Sequence, residues 1–376
     1  MLLLKTVKNS FYAYAMLTGT IIGVGIFSLP YITSRAGLLT VAAYFIFLGA
    51  VAMLIHIFWG EITIKTPGHH RLPGMARIYL GSFWGRVATV TAIGSLLGAI
   101  LAYVILGADF SNSLFNGYLG EGEWLHVILY CLIGAFLIWK GDKLIAKLEV
   151  WGIIALALIF AVLIWKVSGH WRLENILTLS GQAKNFFLPY GVVLFSLWGA
   201  SAIPDVQDVM GRDKRRINKI IVAAGLSAMI VYAIFITIIL GVSGAGVDPT
   251  ALGGLTGIVG ADIEKILLAL GILTTFTSYI TLALALNKLL IYDLKISPMT
   301  ALVTVAGVPT ILYFLGVNNF ITIISFVGSV MLAIDGIFIA AIYGRLGQAS
   351  RLRRLGILAM MFCFALGIVY EFYKII

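Results

Sequence analysis

The stretch Thr18-Gly19-Thr20-Ile21-Ile22-Gly23-Val24-Gly25-Ile26-Phe27-Ser28-Leu29-Pro30-Tyr31 decides how the chain is read. It lies inside an apolar run from Phe11 to Ile32. A run of about 20 mostly apolar residues is what roughly 30 Å of hydrocarbon requires. A plain lipid anchor would not place three glycines, two threonines, a serine and a proline in that position. Glycine weakens a helix and lets a neighbour approach the backbone, and proline removes a donor. A helix broken at membrane depth leaves N–H and C=O groups unpaired, which is tolerated only where the break is buried in protein or lines a polar cavity. The stretch therefore predicts a discontinuous first helix, with freed backbone groups near the bilayer midplane that can hold a solute.

The rest of the chain suits that setting. Of its 376 residues 61% are hydrophobic and 11% charged, with a mean hydropathy of +1.05, which excludes a soluble domain of this size. The charges sit in short clusters between long apolar runs, a pattern foreign to a β-barrel. The class is an all-α polytopic membrane protein. The net charge of +10 does not point to nucleic acid, because basic residues collect beside spans on the cytoplasmic face. Cys131 and Cys363 both fall in apolar runs, so neither a disulfide nor a metal site is expected, and no cofactor. No small-residue cleavage site follows the first apolar run, which reads as a first transmembrane helix and not a signal peptide.

Eleven spans are expected, at about 11–34, 38–64, 84–108, 125–140, 144–167, 186–207, 217–243, 262–291, 297–315, 319–343 and 352–373. The loops are short, so residues 1–376 form a single transmembrane domain. Longer connections run over 65–83, 168–185 and 244–261, the last glycine-rich and expected to hold a short surface helix. With the N-terminus in the cytoplasm, 20 of the 26 Lys and Arg residues fall inside and 6 outside. This bias places the chain in the cell (inner, plasma) membrane with its N-terminus cytoplasmic and its C-terminus outside. No feature of the sequence specifies an oligomeric state.

The sixth span repeats the signature of the first. In Trp198-Gly199-Ala200-Ser201-Ala202-Ile203-Pro204 the interval from Gly199 to Pro204 equals that from Gly25 to Pro30. Spans one and six each open a set of five, and Gly/Pro-interrupted spans at matching positions of two halves point to a secondary transporter built from inverted repeats. The halves are about 11–167 and 186–343, with an extra helix at about 352–373. In the eighth span Thr274, Thr277 and Ser278 share one helix face. Their hydroxyls either bond their own backbone or, beside freed carbonyls, supply oxygen ligands to a hard cation.

These stretches resemble the amino-acid permeases. The run from Gly19 to Pro30 is similar to their first-helix signature and is most like the hydroxy/aromatic amino-acid permease branch, which includes tryptophan- and tyrosine-specific permeases. Trp198 to Pro204 resembles that branch's sixth helix. Thr277-Ser278-Tyr279, with Leu284-Ala285-Leu286 and Tyr292-Asp293, resembles its eighth. One departure is Trp198-Gly199 where the branch usually has His-Gly. The resemblance implies the LeuT-type fold, a five-plus-five inverted repeat with discontinuous helices one and six. It implies a substrate carboxylate at backbone N–H groups around Gly23, Val24 and Gly25, an electropositive helix end with free donors. It implies the amino group at carbonyls near Thr20, Ile21, Phe195 and Ser196, with Trp198, Gly199 and Ser201 about the side chain. Tyr103 in the third span reads as an interfacial aromatic, or as a cover over the site from outside. If sodium couples, the hydroxyls of Thr274, Thr277 and Ser278 should face the carbonyls of Gly19 and Ile22 and hold the ion with them.

Charged residues at depth are functional candidates by default. Asp335, inside the tenth span, can carry a proton or serve as a structural acceptor. Glu61 has Lys65 four residues on, an interfacial pair. Asp205 and Asp208 follow the sixth-helix break and precede Arg212, which places a gate or loop salt bridge there. His56 reads as a hydrogen-bonded packing residue. Some proton-coupled relatives carry a lysine in the fifth span, and here Val150 to Trp165 has none.

The expected function is secondary active transport of a neutral or aromatic amino acid by alternating access, coupled to H⁺ or Na⁺. The branch resemblance favours protons, and the hydroxyl face and missing lysine favour sodium. Transport of another small solute on the same scaffold, or a nutrient receptor that does not transport, are the alternatives. A channel would need polar rings along a pore, and an enzyme would need clustered His, Cys or carboxylates, whereas the five histidines are scattered.

Overall fold

The structure is a computed structural model, and it describes residues 2–115, 122–179, 181–252, 260–346 and 351–375. All regular structure among these residues is helical. Seven helices are long and apolar enough to cross a bilayer, and a bent pair makes an eighth crossing. The eleven expected spans therefore do not all pass as unbroken membrane helices. The fifth falls on Asp142–Val167, the sixth is two eight-residue pieces, and the ninth, Pro298–Phe314, has 17 residues.

The bent pair is the first span. Leu2–Ile21 stops, three residues are non-helical, and Gly25–Ala36 continues at an angle of 46°. The second break interrupts span six between Pro189–Ser196 and Ile203–Met210, with a 3₁₀ turn at Ala200–Ala202. In both spans the fragment after the break carries a proline, Pro30 and Pro204. Pro204 sits in the first turn of its fragment, where a missing N–H costs nothing.

Span two (Leu38–Lys65), span three (Ser82–Phe115), span seven (Lys214–Ser243) and span eight (Ala261–Tyr292) surround these breaks as continuous helices of 28 to 34 residues. Span ten is Phe320–Phe326, a π-helical segment Val327–Leu332, and Ala333–Arg345. Span eleven is Arg351–Ile375, and span four is Glu123–Lys140.

The connection at 65–83 is more ordered than the sequence suggests. It contains a helix, Leu72–Leu80, with Pro73, Gly74, Met75 and Ala76 buried. The connection at 168–185 holds only Leu173–Leu177 and a turn at Ala183–Asn185. In 244–261 the described residues give one 3₁₀ turn, Gly244–Gly246, and 253–259 lie outside the described residues.

Candidate functional site

The two breaks meet face to face. A Cβ on Gly25 would lie 2.9 Å from the Cα of Ser196, and one on Gly199 would lie 2.6 Å from Cγ1 of Ile21. Only glycine permits backbones that close. A Cβ on Gly23 would collide with the Tyr103 hydroxyl. The sequence reading gives the space beside Gly23 and Gly25 to a substrate. In the structure Tyr103 and Ser196 lie against these glycines, which let helix pack on helix.

Side chains from continuous helices satisfy the backbone groups that the breaks release. His56 Nε2 accepts from the Gly199 N–H at 3.1 Å, so that nitrogen carries no proton. Trp59 Nε1 donates to the Ala200 carbonyl at 3.0 Å. The two lie three residues apart on one face of span two. From span seven, the hydroxyl of Tyr232 lies between the carbonyl oxygens of Ile21 and Ser196, 2.7 Å from the latter. Those two carbonyls, expected to face an amino group, are thus shared with a tyrosine.

Tyr103 does not sit at the membrane interface. It is buried, and its hydroxyl reaches the Val24 backbone N–H and the Ser278 hydroxyl. A phenol therefore sits at the first N–H groups of the outer half of helix one.

The breaks open on one cavity with roughly 840 Å³ of empty space, its mouth included. Thr20, Ile21 and Gly25 from span one and Phe195, Ser196, Trp198 and Ser201 from span six line it together with Tyr103. Gly23, Val24 and Gly199 lie behind that wall. Trp198 is half-buried, its ring edge-on to His56 at 5.6 Å and to Phe364 at 6.4 Å. On the Phe27 side, beyond the cavity lining, Phe27 packs on Phe110 and Phe235, all buried, with ring centroids 5.0 and 5.9 Å apart. At the opposite end Asp205 takes Arg71 Nη2 and Lys288 Nζ, each at 2.9 Å. Its partners are these two cations and not Arg212, because span eight and the 65–83 connection close over this end.

Of the three hydroxyls of span eight, one reaches the first break. Ser278 Oγ donates to the Gly19 carbonyl at 2.8 Å, with that of Ile22 at 3.5 Å. Thr274 and Thr277 stand within about one turn of Ser278 on the same helix. Their hydroxyls donate to Leu270, Gly271 and Leu273 of their own helix, and the Thr277 methyl lies against Gly152.

Asp335 stands on the cavity wall just past the π-helical segment. Its two oxygens accept from Thr91 Oγ1 at 3.1 Å and Ser95 Oγ at 2.9 Å, and it has no cationic partner among the described residues. The π segment rests backbone to backbone on span six, since a Cβ on Gly328 would collide with the Gly191 carbonyl.

One further expectation needs correction. Glu61 pairs with Lys214 at 2.9 Å and not with Lys65, because the start of span seven lies closer than the next turn of its own helix. Asp208 pairs with His69 at an exposed site, at 3.6 Å. Sequence reasoning missed Trp59, Tyr232, Arg71, Lys288, Thr91 and Ser95. A usable signal existed for two of these pairs. Trp59 follows His56 by three residues, and Ser95 follows Thr91 by four.

The chain matches the model of the tryptophan/tyrosine permease family over residues 6–369, and it belongs to that family. It is a transporter and not an enzyme. Among solved structures it is similar to MhsT in complex with L-phenylalanine, at 17% identity and TM-score 0.66, covering 97% of each chain. It is also similar to Mhp1, a nucleobase-cation-symport-1 family transporter in a closed conformation with bromovinylhydantoin bound. There the identity is 14% and the TM-score 0.69, over 97% of this chain and 93% of the other. At these identities the likeness establishes the fold, which is the LeuT fold. No curated sequence matches.

Proposed function

We propose that this permease carries a neutral or aromatic amino acid across the cell membrane by alternating access, in symport with protons. One observation carries the reading: the breaks of spans one and six line a single cavity. The substrate carboxylate binds at the N–H groups that open Gly25–Ala36, where the helix end is electropositive. The Tyr103 hydroxyl beside Val24 offers it a further donor. The amino group binds at carbonyls of the inner half, near Thr20 and Phe195. An aromatic side chain lies against Trp198, and the L-phenylalanine held by MhsT is consistent with such a pocket.

Asp335 is the proton carrier of this reading. A carboxyl buried in a membrane without a cationic partner is costly when ionised, and this one faces the cavity. Sodium is the second reading, favoured by one contact, the Ser278 hydroxyl between the Gly19 and Ile22 carbonyls. Two of the three expected hydroxyl ligands turn to their own helix, which weighs against it.

Uptake of tritiated L-tryptophan and L-tyrosine into proteoliposomes tests both points. A pH gradient, acid outside, should drive accumulation without sodium, and Asp335→Asn should uncouple it. Accumulation on a sodium gradient at equal pH, lost on replacement by choline, would overturn proton coupling. Stabilisation by an amino acid without uptake of any would overturn transport in favour of a receptor.

A further inference from the structure

We infer a second substrate-binding site in the inner half of the cavity, formed by Arg71 and Asp335 and built for a zwitterionic amino acid. It rests on the reading of the chain as an amino-acid carrier. It is distinct from the site at the breaks, and a substrate would occupy it on the way to the cytoplasm.

Arg71 is the first observation. It lines the cavity and is 8% exposed. Its Nη2 is held by Asp205, yet its Nη1 is buried and has no hydrogen-bond partner. An unpaired guanidinium donor in such a place is expensive to leave unmet, and its natural complement is a carboxylate. The fork geometry lets one nitrogen keep Asp205 while the other takes a ligand.

Asp335 supplies the opposite charge. It lines the same cavity and is 6% exposed. Each of its oxygens accepts one hydroxyl, from Thr91 and Ser95, which leaves further lone pairs for an ammonium group. The hydroxyls fix its orientation without neutralising it.

Depth separates this pair from the first site. Ser95 lies on the same helix as Tyr103, roughly 12 Å away at about 1.5 Å per residue. Lys288, which shares Asp205 with Arg71, lies on the same helix as Ser278, roughly 15 Å away by the same rise. The layer holding Asp335 and the layer holding Arg71 are thus both displaced from the breaks in one direction and by similar amounts. An anion and a cation then border the same cavity, as the two ends of a zwitterion require.

Equilibrium binding of tritiated L-tryptophan to the purified full chain tests this. Saturation should approach two molecules per chain, the second weaker than the first. Arg71→Gln and Asp335→Asn should each reduce the count to one, and Arg71→Lys and Asp335→Glu should restore part of the second site. Ligands test the same point on wild-type protein and so do not depend on any variant folding. Tryptamine, which lacks the carboxylate, and indole-3-propanoate, which lacks the amine, should each compete at the second site at least tenfold more weakly than tryptophan. Saturation at one molecule per chain would overturn the inner site and leave the carrier reading standing. A second site that takes tryptamine as readily as tryptophan would also overturn it. No binding of tryptophan at all would overturn both.

Discussion

Replacing His56 by leucine isolates the support of the second break. The imidazole is the acceptor for the Gly199 N–H at 3.1 Å, and that glycine is buried. Leucine is apolar and leaves the N–H buried without a partner, at a cost of roughly 1–3 kcal/mol. The edge-on contact with Trp198 adds roughly 0.5–1.5 kcal/mol that is also lost. Part of this penalty lowers stability. The part that falls on the substrate-binding conformation raises KM, by roughly five- to 150-fold for 1–3 kcal/mol at tenfold per 1.4 kcal/mol. Glutamine is the discriminating control, since its amide oxygen can accept the same N–H. Tryptophan uptake into proteoliposomes gives KM, and thermal unfolding in detergent gives stability. His56→Leu should be impaired in both and His56→Gln should recover most of the loss. Wild-type KM and stability in His56→Leu would refute the reasoning. So would a glutamine variant as impaired as the leucine.

Four other outcomes follow from named contacts. Gly25→Ala places a methyl group 2.9 Å from a backbone carbon of Ser196, which cannot rotate away. Overpacking of about 1–3 kcal/mol should force spans one and six apart and weaken tryptophan binding, and unchanged affinity would contradict this. Asp205→Asn leaves Arg71 and Lys288 facing each other without their shared counter-ion. The loss is about 3 kcal/mol, the low end for a broken buried pair because the carboxylate is 18% exposed. A cysteine at position 201 should then label faster from the cytoplasmic face, and an unchanged rate would sink the gate assignment. Asp293 lies just past the end of span eight, where burial raises its carboxyl above the usual range even though the Arg71 backbone N–H donates to it. An acid whose pKa is raised by folding binds protons more tightly when folded, so stability falls as pH rises through the native value. Asp293→Asn keeps an acceptor oxygen, and its thermal midpoint should gain on wild type as pH rises from the ordinary carboxylate range through the raised native value. A gain confined to the acid side would refute that sign. Finally, a cysteine at position 214, in a chain lacking Cys131 and Cys363, should label only from the cytoplasm, and labelling from outside would overturn the orientation.

The breaks were legible because their cause is local. Gly23, Gly25 and Pro30, and again Gly199 and Pro204, act on their own backbones, so their spacing can be read from one strand of sequence. The neighbours that complete the site are not local. His56 and Trp59 meet Gly199 and Ala200 across more than a hundred residues of chain, and nothing in span two specifies that partner. The same holds for Arg71, which reads as a loop cation until the helix at Leu72–Leu80 buries it beside Asp205. The cation face is less legible for the opposite reason. Thr274, Thr277 and Ser278 do lie along one side of a helix, but a threonine hydroxyl can always turn to its own i−4 carbonyl, and here two of them do. Sequence spacing places a side chain on a face and leaves its rotamer open.

The partners of the breaks also suggest how such a site can move. Both breaks keep only part of their backbone pairing, such as Gly23 N–H to the Ile21 carbonyl and Ala202 N–H to the Gly199 carbonyl. Other released groups are met by side chains of continuous helices: an imidazole, an indole and a phenol from spans two and seven, and Tyr103 and Ser278 from spans three and eight. A side-chain hydrogen bond exchanged for another contributes only about 1 kcal/mol net, so the helix halves can tilt against this frame if each lost bond is replaced. Different forces act at the two ends of the cavity. Beyond the lining at one end Phe27 packs on Phe110 and Phe235 by apolar contact, which does not depend on charge. Arg71, Asp205 and Lys288 hold the other by charge, which a carboxylate arriving at Arg71 Nη1 would disturb. On the proposed reading, a substrate that reaches the inner layer is therefore itself positioned to loosen the charged end.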